Sequence, residues 1–415
     1  MSGTRGTRTF VGFGFGPIQA GLMVAEAMDC GGFQRFVISE IDPVLVDAVR
    51  GAGNVVTINV AGADGIQAKR MAGVELLNPK EPAERERILE AACEAQEMAT
   101  AIPNVSLYSA GGDISVAALL AEAGRRRTAR AACVIYAAEN HNFAAELLRE
   151  EMLLRASAEE LAGIQILNTV IGKMSGVIST PQEMRRLALA PLVPGFERCV
   201  LVERFNRILV SRVTLPGFRR AITVFQERDD LLPFEEAKLF GHNAIHALLG
   251  SVARLKGYEV MSEIRQDRRL MDLGRSAFLE ESGKALVGRH GGTGDRLFTA
   301  TGMAEYAEDL LERMTNPFLH DRVERVIRDP RRKLGWSDRL FGAMRLALSQ
   351  GIRPTGLAVG AAATLAFALE REPGGAEPAR RYLTTLWGAE ATGAQREECL
   401  TLVEEAQGKL ADWRR

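Results

Sequence analysis

Along the first half of the chain, short runs rich in β-branched and aromatic residues alternate with stretches of helical apolar spacing, the way a parallel sheet with crossover helices reads. Strands are predicted over residues 9–14 and 35–39 with a helix over 18–28 between them, and further strands over 55–60, 105–109, 132–137 and 164–170. An amphipathic helix is predicted over 82–101. Pro194 and Gly195 precede two more β-like runs, 199–203 and 208–213, and Pro216-Gly217 turns the chain again. Beyond Asp230 the spacing is helical almost throughout, with breaks at Gly257, Gly291-Gly292, Pro317, Pro330 and Pro354, and 374–378 reads as a loop between late helices. The pattern predicts an α/β fold. A Rossmann-like, doubly wound sheet domain over residues 1–228 is followed by a mainly α-helical domain over 229–415, with catalysis in the cleft between them.

Length agrees with two domains, since 415 residues exceed what one hydrophobic core usually supports. The 52 Lys and Arg balance 53 Asp and Glu, which leaves no strong field for nucleic acid or an anionic membrane. The polar start lacks the apolar core of a signal peptide, and the apolar stretch 357–369 is too short to span a bilayer. A soluble, cytoplasmic protein, monomeric or weakly homo-oligomeric, is expected. The five cysteines are scattered, odd in number and without a Cys-x-x-Cys pair, so they read as small buried residues in a reducing compartment.

Candidate chemistry begins at the turn after the first strand. In Gly12-Phe13-Gly14-Phe15-Gly16-Pro17-Ile18-Gln19, Gly14 and Gly16 occupy the tight turn of a dinucleotide fingerprint, and a helix opening at Pro17 and Ile18 would aim free N–H groups at a pyrophosphate. Gln19 stands where the third glycine is expected, so the fingerprint is degenerate. Glu40 ends the second strand at the interval where a carboxylate binds the adenosine ribose, which favours NAD over NADP.

A second constellation opens the helical half, where Glu235, Lys238, Asn243 and His246 carry K-x4-N-x2-H. At about 100° per residue, Lys238, Glu235, His246 and Asn243 fall at roughly 0°, 60°, 80° and 140° on an α-helix, so one face presents all four. A desolvated lysine of lowered pKa can take an alcohol proton, and asparagine amides can hold the developing alkoxide. The plain alternative is a solvated amphipathic helix. Zinc at His242 and His246 is another, but the glutamate of a zincin and a nearby third ligand are missing.

These residues, with Leu231-Leu232-Pro233-Phe234 before them and Asn316-Pro317, Asp321, Arg325-Val326, Arg328-Asp329-Pro330, Arg332-Lys333-Leu334 and Asp338-Arg339-Leu340 after them, resemble the polyol-specific long-chain dehydrogenases, and most of all the members acting on mannitol 1-phosphate. The resemblance covers most of the chain. It implies a metal-free, NAD-linked interconversion of a linear polyol or its phosphate and the ketose. It also implies Lys238 as general acid/base, Asn243 and His246 on the reacting oxygen, Glu235 gating proton exchange, and Asn140 of Ala138-Glu139-Asn140 as second oxyanion donor. His141 beside it reads as a helix-start residue. Reduction of a keto sugar acid, or nucleotide binding without catalysis, are the other readings. The stretch 171–176 lacks the Asp-Arg pattern of the mannitol 1-phosphate enzymes. Lys173 within it is either an anion ligand or a surface lysine, and the arginines at 322, 325, 328, 331 and 332 read as solvated or paired.

Overall fold

The computed structural model describes residues 8–127, 132–371 and 379–414, so the loop expected over 374–378 lies outside the described residues. Twelve strands are present among them: β1 (Thr9–Phe13), β2 (Arg35–Ser39), β3 (Val55–Ala61), β4 (Ile66–Ala72), β5 (Val74–Leu77), β6 (Glu97–Thr100), β7 (Cys133–Ala137), β8 (Ile164–Val170), β9 (Ser175–Ile178), β10 (Cys199–Glu203), β11 (Leu209–Ser211) and β12 (Gln226–Arg228). They form an eight-stranded sheet in the order β12-β11-β8-β7-β6-β1-β2-β5 and a four-stranded sheet in the order β4-β3-β10-β9. From β8 across to β5 neighbouring strands run parallel. The chain divides into two compact units, one holding the described residues up to Leu232, the other Pro233–Arg415.

Both faces of the large sheet are covered, and the two-residue period of its strands decides which side chain goes where. Phe10, Ile38, Ala99 and Tyr136 pack on one side with Leu22 and Met23. Val11, Val37, Met98 and Ile135 pack on the other with Leu89, Leu120 and Leu148. That is a doubly wound α/β arrangement. The chain leaves β1 toward β2 and β5, then returns to β6 on the other flank of β1. Beyond the carboxyl end of β1 the strand order therefore reverses, and crevices of such sheets open there.

Two expected elements differ. Residues 105–109 are not a strand: Val105–Leu107 is a 3-10 turn, because the Asn104 side chain accepts the Ser106 N–H at 2.9 Å and starts a turn after Pro103. The helix expected over 82–101 ends at Glu94, and Glu97–Thr100 is the central strand β6 between β1 and β7. After Leu232 the described residues are mainly helical, and no helix among them is long and apolar enough to cross a membrane.

Candidate active site

Past β1 the backbone turns at Gly14, whose φ of 78° is open to glycine at little cost. The Gly14 N–H donates to Ser39 O at 2.8 Å, and the Phe15 N–H to Glu40 Oε2 at 2.7 Å. Glu40 Oε1 also accepts the Asp42 N–H at 2.9 Å, so the carboxylate at the end of β2 is braced against the turn. A Cβ on Gly16 would meet nothing within 4 Å, which leaves open room over the turn where the helix begins at Pro17 and Ile18. Beside Glu40, Ile41 and Val44 are 59% and 65% exposed, an apolar surface next to that carboxylate.

Gln19 occupies the third glycine position in an unexpected manner. It is fully buried, and its Nε2 stands 1.9 Å from where a Cβ on Gly12 would be. The glycine that lets helix and strand approach has in effect moved from the helix to β1. Both amide atoms of Gln19 are buried without a hydrogen-bond partner, and the helix is π-helical from Gln19 to Val24. One turn on, a Cβ on Gly21 would come within 2.4 Å of Val202 Cγ1, so this helix also seats against β10.

At the same end of the sheet β7 runs into Glu139 and Asn140. Glu139 is buried and accepts Thr100 Oγ1 at 2.9 Å, the Ile102 N–H at 3.0 Å and the Tyr108 hydroxyl. Burial pushes its carboxyl up, and those three donors hold it back. The loops after β6 and β7 are thereby tied together, and Asn140 lies exposed on the second. His141 Nδ1 accepts the Phe143 N–H at 3.1 Å just ahead of the helix Ala144–Leu153. Lys173 is no surface lysine. It is buried, with Nζ donating to Phe205 O at 3.1 Å and Asn206 Oδ1 at 3.0 Å.

In the helical unit, the segment carrying Lys238 departs from the α-helical wheel. Ala237–Asn243 is π-helical, between α-helical turns Leu232–Glu236 and Ala244–Leu255. In a π turn the bond runs from i to i+5, so residues five apart stack as residues four apart do in an α-helix. Lys238 and Asn243 are five apart. The π turn brings them onto one line, where an α-helix would have splayed them. Gly241 permits the bulge to pack: a Cβ there would come within 2.9 Å of the Phe278 ring, itself in a second π stretch, Ala277–Gly283.

Burial and then the Arg339 guanidinium push the Lys238 amine down to about 8, against the pull of the buried Glu235 carboxylate. His242 is buried, its Nδ1 has no partner, and burial, with His246 and nearby cations, drives its pKa well below the usual value, so the ring is neutral. Its ring meets that of His246 edge-on at 6.0 Å. His246 Nε2 stands 3.1 Å from Asp321 Oδ2, close enough for an ion pair though not aligned as a hydrogen bond. Burial alone would raise the Asp321 carboxyl, but His246 and Arg325, whose NH2 lies 2.7 Å away, hold it well below the carboxylate range. Among the described residues no group of three or more His, Cys, Asp or Glu is arranged to hold a metal ion.

Three charged groups here carried no chemical signal of their own in the sequence. Lys333 is 4% exposed, donates to Arg328 O, and burial followed by Arg339 pushes it down to about 8. Arg339 acts on both lysines, and Arg313 on His242. Each sits in an Arg-rich stretch or on a helix that reads as a solvated face. Of the arginines after Asp321, Arg325 pairs with Asp321, and Arg332 lies 3.5 Å from Asp329.

Residues 230–405 match the family model described as the mannitol dehydrogenase C-terminal domain. The whole chain is similar in structure to Pseudomonas fluorescens mannitol 2-dehydrogenase, solved as a ternary complex with NAD and D-mannitol, with a TM-score of 0.69 and 16% identity over 98% of this chain and 92% of that one. It is also similar to a D-sorbitol dehydrogenase in substrate-free form, with a TM-score of 0.72 and 14% identity over 99% of this chain and 95% of that one. At such identities the structural likeness speaks for the fold, a Rossmann-like sheet domain followed by a helical one. The family match itself is to residues 230–405, nearly all of them in the helical unit.

Proposed function

We propose that this chain is an NAD-dependent oxidoreductase that interconverts a linear polyol or polyol phosphate and the corresponding ketose without a metal ion, of the mannitol-1-phosphate 5-dehydrogenase type. The observation that carries the reading is the Lys238 amine, shifted by burial and Arg339 to about 8, on a π turn that also holds Asn243 five residues on. A base poised near the working pH is what proton transfer from a secondary alcohol needs.

The turn after β1 fits a dinucleotide. Gly14 and the open space at Gly16 would admit the pyrophosphate, Ile18 and Gln19 in the first turn after Pro17 would offer their N–H groups, Glu40 would accept the ribose hydroxyls, and Ile41 and Val44 would cover the adenine. Bound there, NAD supplies the acceptor for the hydride. Lys238 takes the hydroxyl proton in oxidation and returns it in reduction, while Asn243, His246 and Asn140 donate to the reacting oxygen. Glu235 passes the proton to and from water. Arg339 and, around it and His242, Lys333 and Arg313 make the surroundings of Lys238 cationic, which suits a phosphorylated substrate.

Initial rates with mannitol 1-phosphate, mannitol, arabinitol and fructuronate, read by NADH absorbance, test this directly. The highest kcat/KM is expected with a polyol or its phosphate, whereas a clear preference for fructuronate would make the protein a hexuronate reductase. Cofactor choice is tested at Glu40. Its carboxylate favours a free ribose diol and repels a 2′-phosphate, so Glu40→Ser should narrow or reverse the preference for NAD in kcat/KM. Equal efficiency of the unmodified protein with NAD and NADP would remove Glu40 from the ribose.

A further inference from the structure

In the helical unit three helices close up on one another at glycines, and a buried carboxylate ties the junction. The second π stretch, Ala277–Gly283, sets Phe278 against Gly241 of the first, and in the helix Arg268–Ser276 that leads into it a Cβ on Gly274 would lie 2.9 Å from Leu249 Cδ2. The third helix, Thr355–Arg371, packs on both. A Cβ on Gly360 would come within 2.8 Å of Leu248 Cβ, and Thr364 Oγ1 shares a buried hydrogen bond of 2.7 Å with Ser251 Oγ. At its start, a Cβ on Gly356 would stand 2.9 Å from Ala277 Cβ and 3.1 Å from Glu281 Oε1. Glu281 is buried, its Oε1 accepting the Gly356 N–H at 2.6 Å and its Oε2 the Leu357 N–H at 2.9 Å. The first N–H groups of a helix have no partner within it, so a carboxylate there is a charge-assisted acceptor placed at the positive end of the helix dipole. A helix is ordinarily capped by the residue beside it, whereas this carboxylate comes from 75 residues away.

We propose that Glu281 is a positioning residue: by pinning its π stretch to the first turn of Thr355–Arg371, it fixes where Phe278 presses on Gly241, and so sets the backbone between Lys238 and Asn243. This deepens the reading of Lys238 as the acid–base group and rests on it. Phe278 stands three residues ahead of Glu281 in the same π stretch, and Gly241 lies between Lys238 and Asn243 in the other. Each link is a contact. Any slip of Thr355–Arg371 would also be felt at Leu248 and Ser251, on the helix Ala244–Leu255 that carries His246. The carboxylate thereby closes a ring of packed helices around the residues assigned to the reacting oxygen in this unit.

The test compares kcat, KM for the polyol, NADH affinity and the rate of chemical labelling of the Lys238 amine, located by peptide mass spectrometry. Glu281→Ala leaves two buried N–H groups without their acceptor and frees the joint, so kcat should fall on the order of tenfold or more, as small misplacements of a catalytic group do. KM and NADH affinity should stay nearly unchanged, and labelling should be severalfold faster. Glu281→Gln keeps an acceptor oxygen at the same reach and should recover most of the loss. Gly356→Ala leaves the carboxylate in place but forces the joint apart, and should show the same split of kcat from KM. It decides the matter if Glu281→Ala does not fold. A cap that served stability alone would lower the urea midpoint of Glu281→Ala and leave kcat per folded molecule as it was. That result, or full kcat in Gly356→Ala, overturns the proposal. Labelling does not depend on turnover, so faster labelling in Glu281→Ala together with full activity in Lys238→Ala would refute the catalytic reading and leave the positioning role of Glu281 standing.

Discussion

Lys238→Ala is expected to bind NADH with near-normal affinity while turning over slower by on the order of a hundredfold or more, the usual contribution of a positioned acid–base group. The turn that fits the cofactor lies in the other structural unit, so the substitution leaves it untouched. The unmodified protein should show a rate of polyol oxidation that rises with pH through about 8, where Lys238 loses its proton, and then levels off. The sign follows from the direction of the shift. Burial and Arg339 lower the pKa from the ordinary lysine value, so the neutral base is available at a pH where an exposed lysine would still be charged. Ketose reduction needs the protonated form and should fall through the same region. Lys238→Ala should lose this limb along with its turnover. Nearly full turnover, or an unchanged limb, would end the assignment of Lys238. Equilibrium NADH fluorescence titration supplies the binding half of the comparison.

Much of the sheet was legible because its strands obey their own period. The predicted spans 35–39, 164–170 and 199–203 coincide with β2, β8 and β10, all rich in Val, Ile and Leu and bounded by polar or glycine turns. The strands missed are those whose composition argues for something else. β4 reads Ile-Gln-Ala-Lys-Arg-Met-Ala and lies at the edge of the smaller sheet with mostly exposed positions, so it has no apolar face to announce it. β6 reads Glu-Met-Ala-Thr, three helix formers and one threonine, yet all four residues are buried. Its Glu97 is accommodated because the Tyr136 hydroxyl donates to it at 2.6 Å and the Ala221 N–H also reaches it. Tertiary placement overrides propensity there.

At the lysine the residue types were legible and the backbone geometry was not. Residue types and spacing single out Lys238, Asn243, His246 and Glu235 on one face, with Asn243 at its edge, roughly 140° from Lys238 on the α-helical wheel. A π turn leaves no mark in the spacing, and what accommodates it, Gly241 against Phe278, is a contact between residues 37 apart in the chain, 241 and 278. Asp321, Lys333 and Arg339 were visible only as letters of a family resemblance, since their burial comes from helices distant in sequence.

The glycine turn posed the opposite problem, a motif that looked broken and is repaired elsewhere, and this yields the second large expected effect. Gly12→Ala should destabilise the sheet unit by about 1–3 kcal/mol, as overpacking a filled core does. The new methyl would need the space held by Gln19 Nε2, 1.9 Å away, and by Ile38 Cδ1, 2.7 Å away, in a core where Gln19 and Ile38 are both fully buried. Gln19 cannot move aside, and because its amide has no partner it has no hydrogen bond to lose by being replaced. Gln19→Ala should therefore be close to neutral, since relief from an unsatisfied buried amide offsets the cavity it leaves. In the double variant Gly12→Ala with Gln19→Ala the two methyls share the space the glutamine filled, and most of the lost stability should return. Urea unfolding of the four proteins gives the coupling energy, and NADH titration shows whether cofactor affinity follows it. Strict additivity of the two substitutions would mean that Gly12 does not make room for Gln19, and the altered fingerprint would need another explanation for how its helix closes on β1.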